Sequence, residues 1–576
     1  MAEKLISPGV FTQENDLSFV PQGIGEIGGA IVGPTVKGPA LVPTLVTSYP
    51  EYVQLFGDTF TSGTTVTEYL TSISAREYLK HSGALTVVRI LGDAYSNASA
   101  SVVGGGNTGS TAFNLKTIAD GAGMNSSGSS GTNDLLTNGT KDNLRFEITN
   151  PSTAKGTFTL LIRRGDDTSK RKTILETWSG LSLDPNQSNF IGKMIGDQYQ
   201  ELKTDDGTYL QPNGNYQNKS KYVYVSDVYE TPNYLDANGA TSSAAFSNMI
   251  PAATSGTFTG GANGGTSSAT PLFFENMTAA NIQGFAPALS ATGSKGYNAY
   301  SNAIKLLSNA DEYDVNLISM PGINTQDHAI LTNQLITACE TRGDCFAVID
   351  PCLAKQNIST VETEGGTLDT SYAAMYWPWV QTNANGKYCW VPPSTLIPGI
   401  YAFNDKVAAE WYAPAGLNRG GLETVVQAER KLTHANRDTL YEDNVNPLAT
   451  FPGEGVCVWG QKTLQKKASA LDRVNVRRLL INLKKFIAST SKYLVFENNT
   501  AATRNRFLGS VNPYMESVQQ NQGLYAFKVV MDESNNTPDL IDRNIMKGEI
   551  FLQPAKAAEF IVVDFNIMPT GATFED

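Results

Sequence analysis

Between residues 296 and 380 the chain alternates helical and strand-like segments. Residues 297–309 have helical spacing, 315–320 are strand formers, 328–342 are helical again, and 345–350 and 372–380 return to strand. Parallel strands need a crossover of a dozen or more residues, which the helix between the first two strands supplies. Strands this apolar suit a sheet covered on both faces. The order therefore predicts a parallel α/β sheet.

The rest of the chain is organised around that region. At 576 residues it exceeds what one core supports, so two to four domains are expected. Upstream, Ala30-Ile31-Val32-Gly33 reads as a buried strand, 50–57 as a short helix, 66–81 as a helix and 84–90 as a strand. From 97 to 140 Ser, Gly, Asn and Thr dominate, and strands follow at 144–149, 156–163 and 222–225. This predicts a β-rich inserted domain over 97–225. Residues 237–270, with Gly260-Gly261-Ala262-Asn263-Gly264-Gly265, read as a loop. The expected layout is an extended arm (1–22), the first part of an α/β domain (23–96), the insertion, the α/β domain continued (226–399), a mixed C-terminal domain (400–558) with strands at 523–532 and 548–553, and a terminal strand and arm (559–576).

Chemistry is sparse. The stretch 376–460 is dense in aromatics, prolines and glycines, including Tyr376-Trp377-Pro378-Trp379 and Ala413-Pro414-Ala415-Gly416, which build fitted surfaces. His81, His328 and His434 lie far apart, and Cys339, Cys345 and Cys352 are spaced too widely for zinc pairs. Gly455–Thr463 resembles a phosphate loop, but Gln461 stands where the lysine is needed, and Val456-Cys457-Val458-Trp459 is a strand sequence. No catalytic, cofactor or metal residue is assigned. The net charge of -12 argues against a generally basic nucleic-acid binder. No leader peptide and no membrane span are expected, because no apolar run is long enough.

One helix stands out, from Arg473 to about Ser491. Val476, Leu479, Leu480, Leu483, Phe486 and Ile487 recur at three- and four-residue steps. At about 100° per residue, Arg473, Arg477 and Lys484 fall on one flank of the opposite side and Arg478 and Lys485 on the other, with Val474 and Ile481 between. This reads either as a solvated face or as a docking surface for an acidic partner. Near the ends, Val10, Phe11, Thr12 and Gln13 are strand-prone, and Ile561, Val563, Phe565 and Ile567 share one side of a C-terminal strand. Each end either pairs within its own chain or completes a sheet in a neighbour.

Taken together, these motifs resemble the tail sheath proteins of contractile-tailed bacteriophages and related contractile injection systems. The likeness rests on Ser7-Pro8-Gly9-Val10, Tyr376-Trp377-Pro378-Trp379, Pro392-Pro393-Ser394, Gly399-Ile400-Tyr401-Ala402 with Asp405, and Ala413-Pro414-Ala415-Gly416. It continues through Asn446-Pro447, Phe451-Pro452-Gly453, Trp459-Gly460, Val476-Arg477-Arg478-Leu479, Phe496-Glu497-Asn498-Asn499 and Glu559-Phe560-Ile561. Glu410 stands where the family tends to have glycine, and 97–290 resembles nothing recognisable.

The resemblance implies a multidomain α+β subunit of a helical sheath, stacked as hexameric rings around a tail tube in the virion and assembled in the host cytoplasm. The C-terminal domain would face the tube, with Arg473, Arg477, Arg478, Lys484 and Lys485 as contact candidates. The insertion would face outward, and both arms would exchange strands between subunits. The implied partners are further copies, the tube protein, and baseplate and terminator proteins, with no nucleic acid, no direct membrane insertion and no cofactor. Two other readings compete: an enzyme using the 296–380 region, and a capsid or adhesin-like surface protein.

Overall fold

In the computed structural model, the alternation at 296–380 becomes the middle of an eight-stranded sheet. The structure describes residues 28–62, 65–106, 109–130, 133–243, 245–264 and 296–561. The sheet strands are β1 (Gly28–Gly33), β2 (Thr44–Val46), β3 (Leu85–Arg89), β4 (Val315–Asn324), β5 (Phe346–Asp350), β6 (Ala373–Trp377), β7 (Val445–Phe451) and β8 (Gly455–Val458), ordered β2-β3-β1-β4-β5-β6-β7-β8. The six inner strands pair in parallel and the two edge strands antiparallel.

Alternate side chains feed two cores. Ala30, Val32, Ile318, Ala347, Ile349 and Met375 point to one side, where helices α2 (Tyr297–Leu307) and α3 (Thr325–Arg342) add Ala303, Leu307, Leu331 and Leu335. Ile31, Leu317, Phe346, Val348, Ala374 and Tyr376 point to the other. There α1 (Leu70–Leu79), α4 (Ile397–Val407) and the start of α5 (Val474–Lys492) supply Ile73, Ile400, Val474 and Ile481. Covering both faces is what makes these strands uniformly apolar.

Three sequence expectations change. The helix read over 66–81 is shorter, because Thr65–Glu68 pairs with Thr59–Ser62 as a hairpin before α1 begins. Thr65, Thr67 and the β-branched Val66 suit that strand. Residues expected in the 237–270 loop return to the insertion: Thr254–Thr257 pairs with Leu144–Ser152, and Ala262–Asn263 with Tyr95–Val103. The insertion is thus two four-stranded antiparallel sheets around a core that includes Phe113, Phe146, Leu160 and Val223, and it extends past 225. Val456-Cys457-Val458, read from the sequence as strand, does form the edge strand β8.

The chain separates into two compact units. In its described residues one contains Gly28–Asn482 with the short return 556–561, and the other contains Leu483–Ala555. The second unit holds α6 (Ala501–Gln520) and a hairpin of β9 (Leu524–Val530) and β10 (Glu549–Pro554). Phe507, Val511, Met515 and Val518 give α6 its buried stripe, and Phe486 stacks on Tyr514 at 3.7 Å between ring centres. Among the described residues the hairpin has only these two strands.

Candidate functional site

The first turns of α5 carry the basic residues that the sequence put on a surface. The structure buries most of them. Val474 and Ile481, expected as a ridge between the charges, are 0% and 2% exposed, so the helix is apolar on both sides. Arg477, Arg478 and Lys485 are 4%, 5% and 8% exposed. The reading of a compact basic surface is therefore corrected: of the five cations, Lys484 alone is exposed, and Arg473 is intermediate.

Each arginine has a defined local setting. Arg478 meets Asp405 of α4 with two bonds, Nη1 to Oδ1 at 2.8 Å and Nη2 to Oδ2 at 2.6 Å. Its guanidinium also lies 4.7 Å from the centre of the Tyr401 ring. Burial pulls the Arg478 pKa down, but the Asp405 carboxylate reverses this and holds it above the usual value. Two parallel bonds to a carboxylate are the strong form of this contact. Arg473 makes the same fork with Glu559, at 2.7 and 2.9 Å, beside Tyr441, whose hydroxyl donates to Glu559 at 3.1 Å. Arg477 has no carboxylate. It stacks over Tyr372 at 4.1 Å, donates to the Ser371 hydroxyl, and burial lowers its pKa.

Asp405 and Glu559 were visible in sequence as motif residues, but nothing local linked them to arginines 73 and 86 residues away. The Tyr376 and Tyr401 hydroxyls meet at 2.6 Å beneath the same region. These contacts hold the part of α5 up to Asn482 within the α/β unit.

The second candidate site is the β9–β10 hairpin. Of its strand residues only Leu524 is buried, while Tyr525 and Phe551 are 66% and 57% exposed. A two-stranded hairpin is marginal alone, and among the described residues neither of its edges is paired. Val10, Phe11, Thr12, Gln13, Val563, Phe565 and Ile567, proposed from sequence as exchanging strands, lie outside the described residues. Ile561 is described, is not in a strand, and is 84% exposed beside Phe560 at 80%.

Other chemistry stays dispersed. His81 packs edge-on against Phe403, His328 accepts the Asn324 N–H, and His434 pairs with Asp438. Among the described residues no three His, Cys, Asp or Glu converge as metal ligands, and no helix is long and apolar enough to cross a membrane.

Two family models match the chain. The phage tail sheath protein central domain matches residues 291–464, and the phage tail sheath C-terminal domain matches 466–568. The tail sheath protein of Vibrio phage KVP40 is 33% identical over 287 residues, which is 48% of this chain and 42% of that protein. That of Enterobacteria phage T4 is 30% identical over 322 residues, 51% of this chain and 49% of that protein. The chain thus spans less than half the length of these curated relatives. A crystal structure of a sheath tail protein from Listeria innocua, 10% identical, covers 88% of this chain and 90% of its own with a TM-score of 0.53, a likeness of fold. Over residues 291–464 and 466–568 the chain is thus similar, in order, to the central and C-terminal domains of phage tail sheath proteins.

Proposed function

We propose that the chain is a structural subunit of a contractile tail sheath. It polymerises as stacked hexameric rings in a helical array around a tail tube and, when a baseplate triggers it, contracts to drive the tube through the host envelope. The observation that carries this reading is the match to two sheath-family domains together with a hairpin that, among the described residues, has two strands and no partner at either edge. Terminal segments of neighbouring copies, 10–13 and 561–567, are suited to completing that sheet by backbone pairing. Linked ends let rigid bodies slide without separating, so the work resides in subunit contacts and needs no catalytic group. The subunit's place is the virion tail, after assembly in the host cytoplasm, with the tube, baseplate and terminator proteins as partners.

Negative-stain microscopy tests this directly, with hollow striated tubes as the expected result. Deleting residues 1–21 should leave a folded chain that no longer polymerises, and normal tubes from that truncation would sink the strand-exchange reading.

Exposure of Lys484 supports it first among the five tube-contact candidates. Lys484→Glu should impair assembly on the tube and spare tube-free polymerisation. Equal loss of both would assign Lys484 to folding or to subunit contacts.

A further inference from the structure

Arg504 sits on the wrong face of its helix for a charged residue. It belongs to the stripe Arg504, Phe507, Val511, Met515 and Val518 that α6 turns inward, and it is 6% exposed. Among the described residues its guanidinium has no hydrogen-bond or ion-pair partner, and its Nε is fully buried and unsatisfied. A guanidinium largely withdrawn from water and facing an open cleft is a favourable place for a carboxylate brought from outside the unit.

The arginine lines an open cleft of about 450 Å³ between the first turns of α6 and the loop after β9, shared with Asn505, Leu508, Met531 and Ser534. The cleft wall is preformed. Asn536 fixes the loop by donating to the carbonyls of Asp532 and Lys547 at 3.1 and 2.8 Å, and accepts the Lys547 N–H at 2.8 Å. The N-terminal end of the 20-residue α6 adds a partial positive charge. Two acids, Asp532 and Glu533, also line the cleft. Both are exposed, and the Asp532 carboxylate is already engaged by the Ser534 N–H and hydroxyl at 2.8 and 2.5 Å. Water and salt screen these rim charges far more than the buried Arg504.

We propose that this cleft is a receptor for a carboxylate carried by the N-terminal segment of a second copy of the chain, Glu14 or Asp16, which pairs with Arg504. The inference rests on the strand-exchange reading and deepens it. In sequence, Glu14-Asn15-Asp16 follows directly on the strand-prone Val10-Phe11-Thr12-Gln13. In structure, Met531 of the cleft follows directly on the end of β9 at Val530, which pairs with the start of β10 at Glu549. A strand added parallel to β9, or antiparallel to β10, ends at the cleft. An acid one to three residues further on then reaches it, at about 3.3 Å per residue. The ion pair fixes both direction and register, which backbone pairing alone leaves loose.

The test is a fluorescent peptide of residues 7–19 titrated against the full chain at concentrations where the chain is monomeric. Arg504→Gln should weaken peptide binding about tenfold, as should a peptide with Glu14→Gln and Asp16→Asn, the loss of one charge-assisted pair. The melting temperature of Arg504→Gln should hold or rise, because an uncompensated buried charge is removed. Equal binding of both peptides to wild type and to Arg504→Gln overturns the inference and leaves strand exchange standing. Binding of the peptide to neither protein sinks both. A marked fall in melting temperature for Arg504→Gln overturns the inference by showing that Arg504 serves its own fold.

Discussion

Arg478 in the α/β unit and Arg504 in the C-terminal unit are both buried on the inward stripe of a long helix. Arg478 is answered at once by Asp405 in a two-bond fork and by the face of Tyr401. Arg504 is answered by nothing among the described residues. The same contrast holds for backbone. The inner strands of the eight-stranded sheet are paired on both sides and buried, whereas among the described residues the β9–β10 hairpin has two strands, unpaired edges and exposed aromatics. In the α/β unit Arg478 and the inner strands find their partners within the unit. Among its described residues the other leaves both a charge and a sheet edge without a partner.

The largest expected effect breaks the finished side. Asp405→Ala strands the Arg478 guanidinium in the α/β unit and should destabilise it by about 3–5 kcal/mol in denaturant titration. The double variant Asp405→Leu with Arg478→Met replaces the pair by apolar groups of similar size and should recover most of that loss. If Asp405→Ala melts like wild type, Arg478 is no better partnered than Arg504 and the contrast collapses.

A buried acid gives the opposite-sign case. Asp350, at the end of β5, accepts the Ser394 N–H at 3.0 Å and the Ser394 hydroxyl at 2.5 Å, and burial raises its pKa to about 7. That is above the unfolded value, so the native state holds a proton the unfolded state releases. The wild type should therefore lose stability as pH rises from about 4 through 7, by roughly 3 kcal/mol at about 1.4 kcal/mol per unit. Asp350→Asn still accepts the Ser394 N–H through Oδ1, its amide can donate to the Ser394 hydroxyl, and it lacks this loss, so it should gain on the wild type up to about pH 7 and level off above it. Parallel pH profiles for the two proteins would mean that Asp350 is ionised in the fold.

The parallel sheet was legible because its evidence is local: apolar runs such as Phe346–Asp350 separated by helical spacing over Thr325–Arg342. The insertion's far boundary was not, because Thr254–Thr257 is a Gly- and Ser-containing strand whose identity comes only from pairing with Leu144–Ser152, about 110 residues away. The basic helix shows the sharper limit. Its period was right, but a helical wheel assigns faces by residue type, and the carboxylates that pair with Arg473 and Arg478 come from Glu559 and Asp405. In the hairpin unit, Arg504 sits among apolar positions of α6, and the wheel gives no hint that its partner is absent. Only the coordinates separate a charge that is answered from one that is not.

Arg477 lies between the two extremes and sets the scale. It is buried like Arg478, but its neighbours are the Tyr372 ring at 4.1 Å and the Ser371 hydroxyl, and its Nε is unsatisfied. A desolvated cation over an aromatic face contributes on the order of 1–2 kcal/mol, and the aliphatic stem packs as well. Arg477→Ala should therefore destabilise the α/β unit by about 1–2 kcal/mol, less than Asp405→Ala, where a charge is stranded. Arg477→Lys should restore part of this, since an ammonium keeps the ring contact but not the planar stacking. Denaturant titration of the three variants ranks the partners directly. A loss from Arg477→Ala as large as that from Asp405→Ala would show that ring and hydroxyl answer a buried arginine as well as a carboxylate does. In that case the missing carboxylate at Arg504 would no longer mark that site as incomplete.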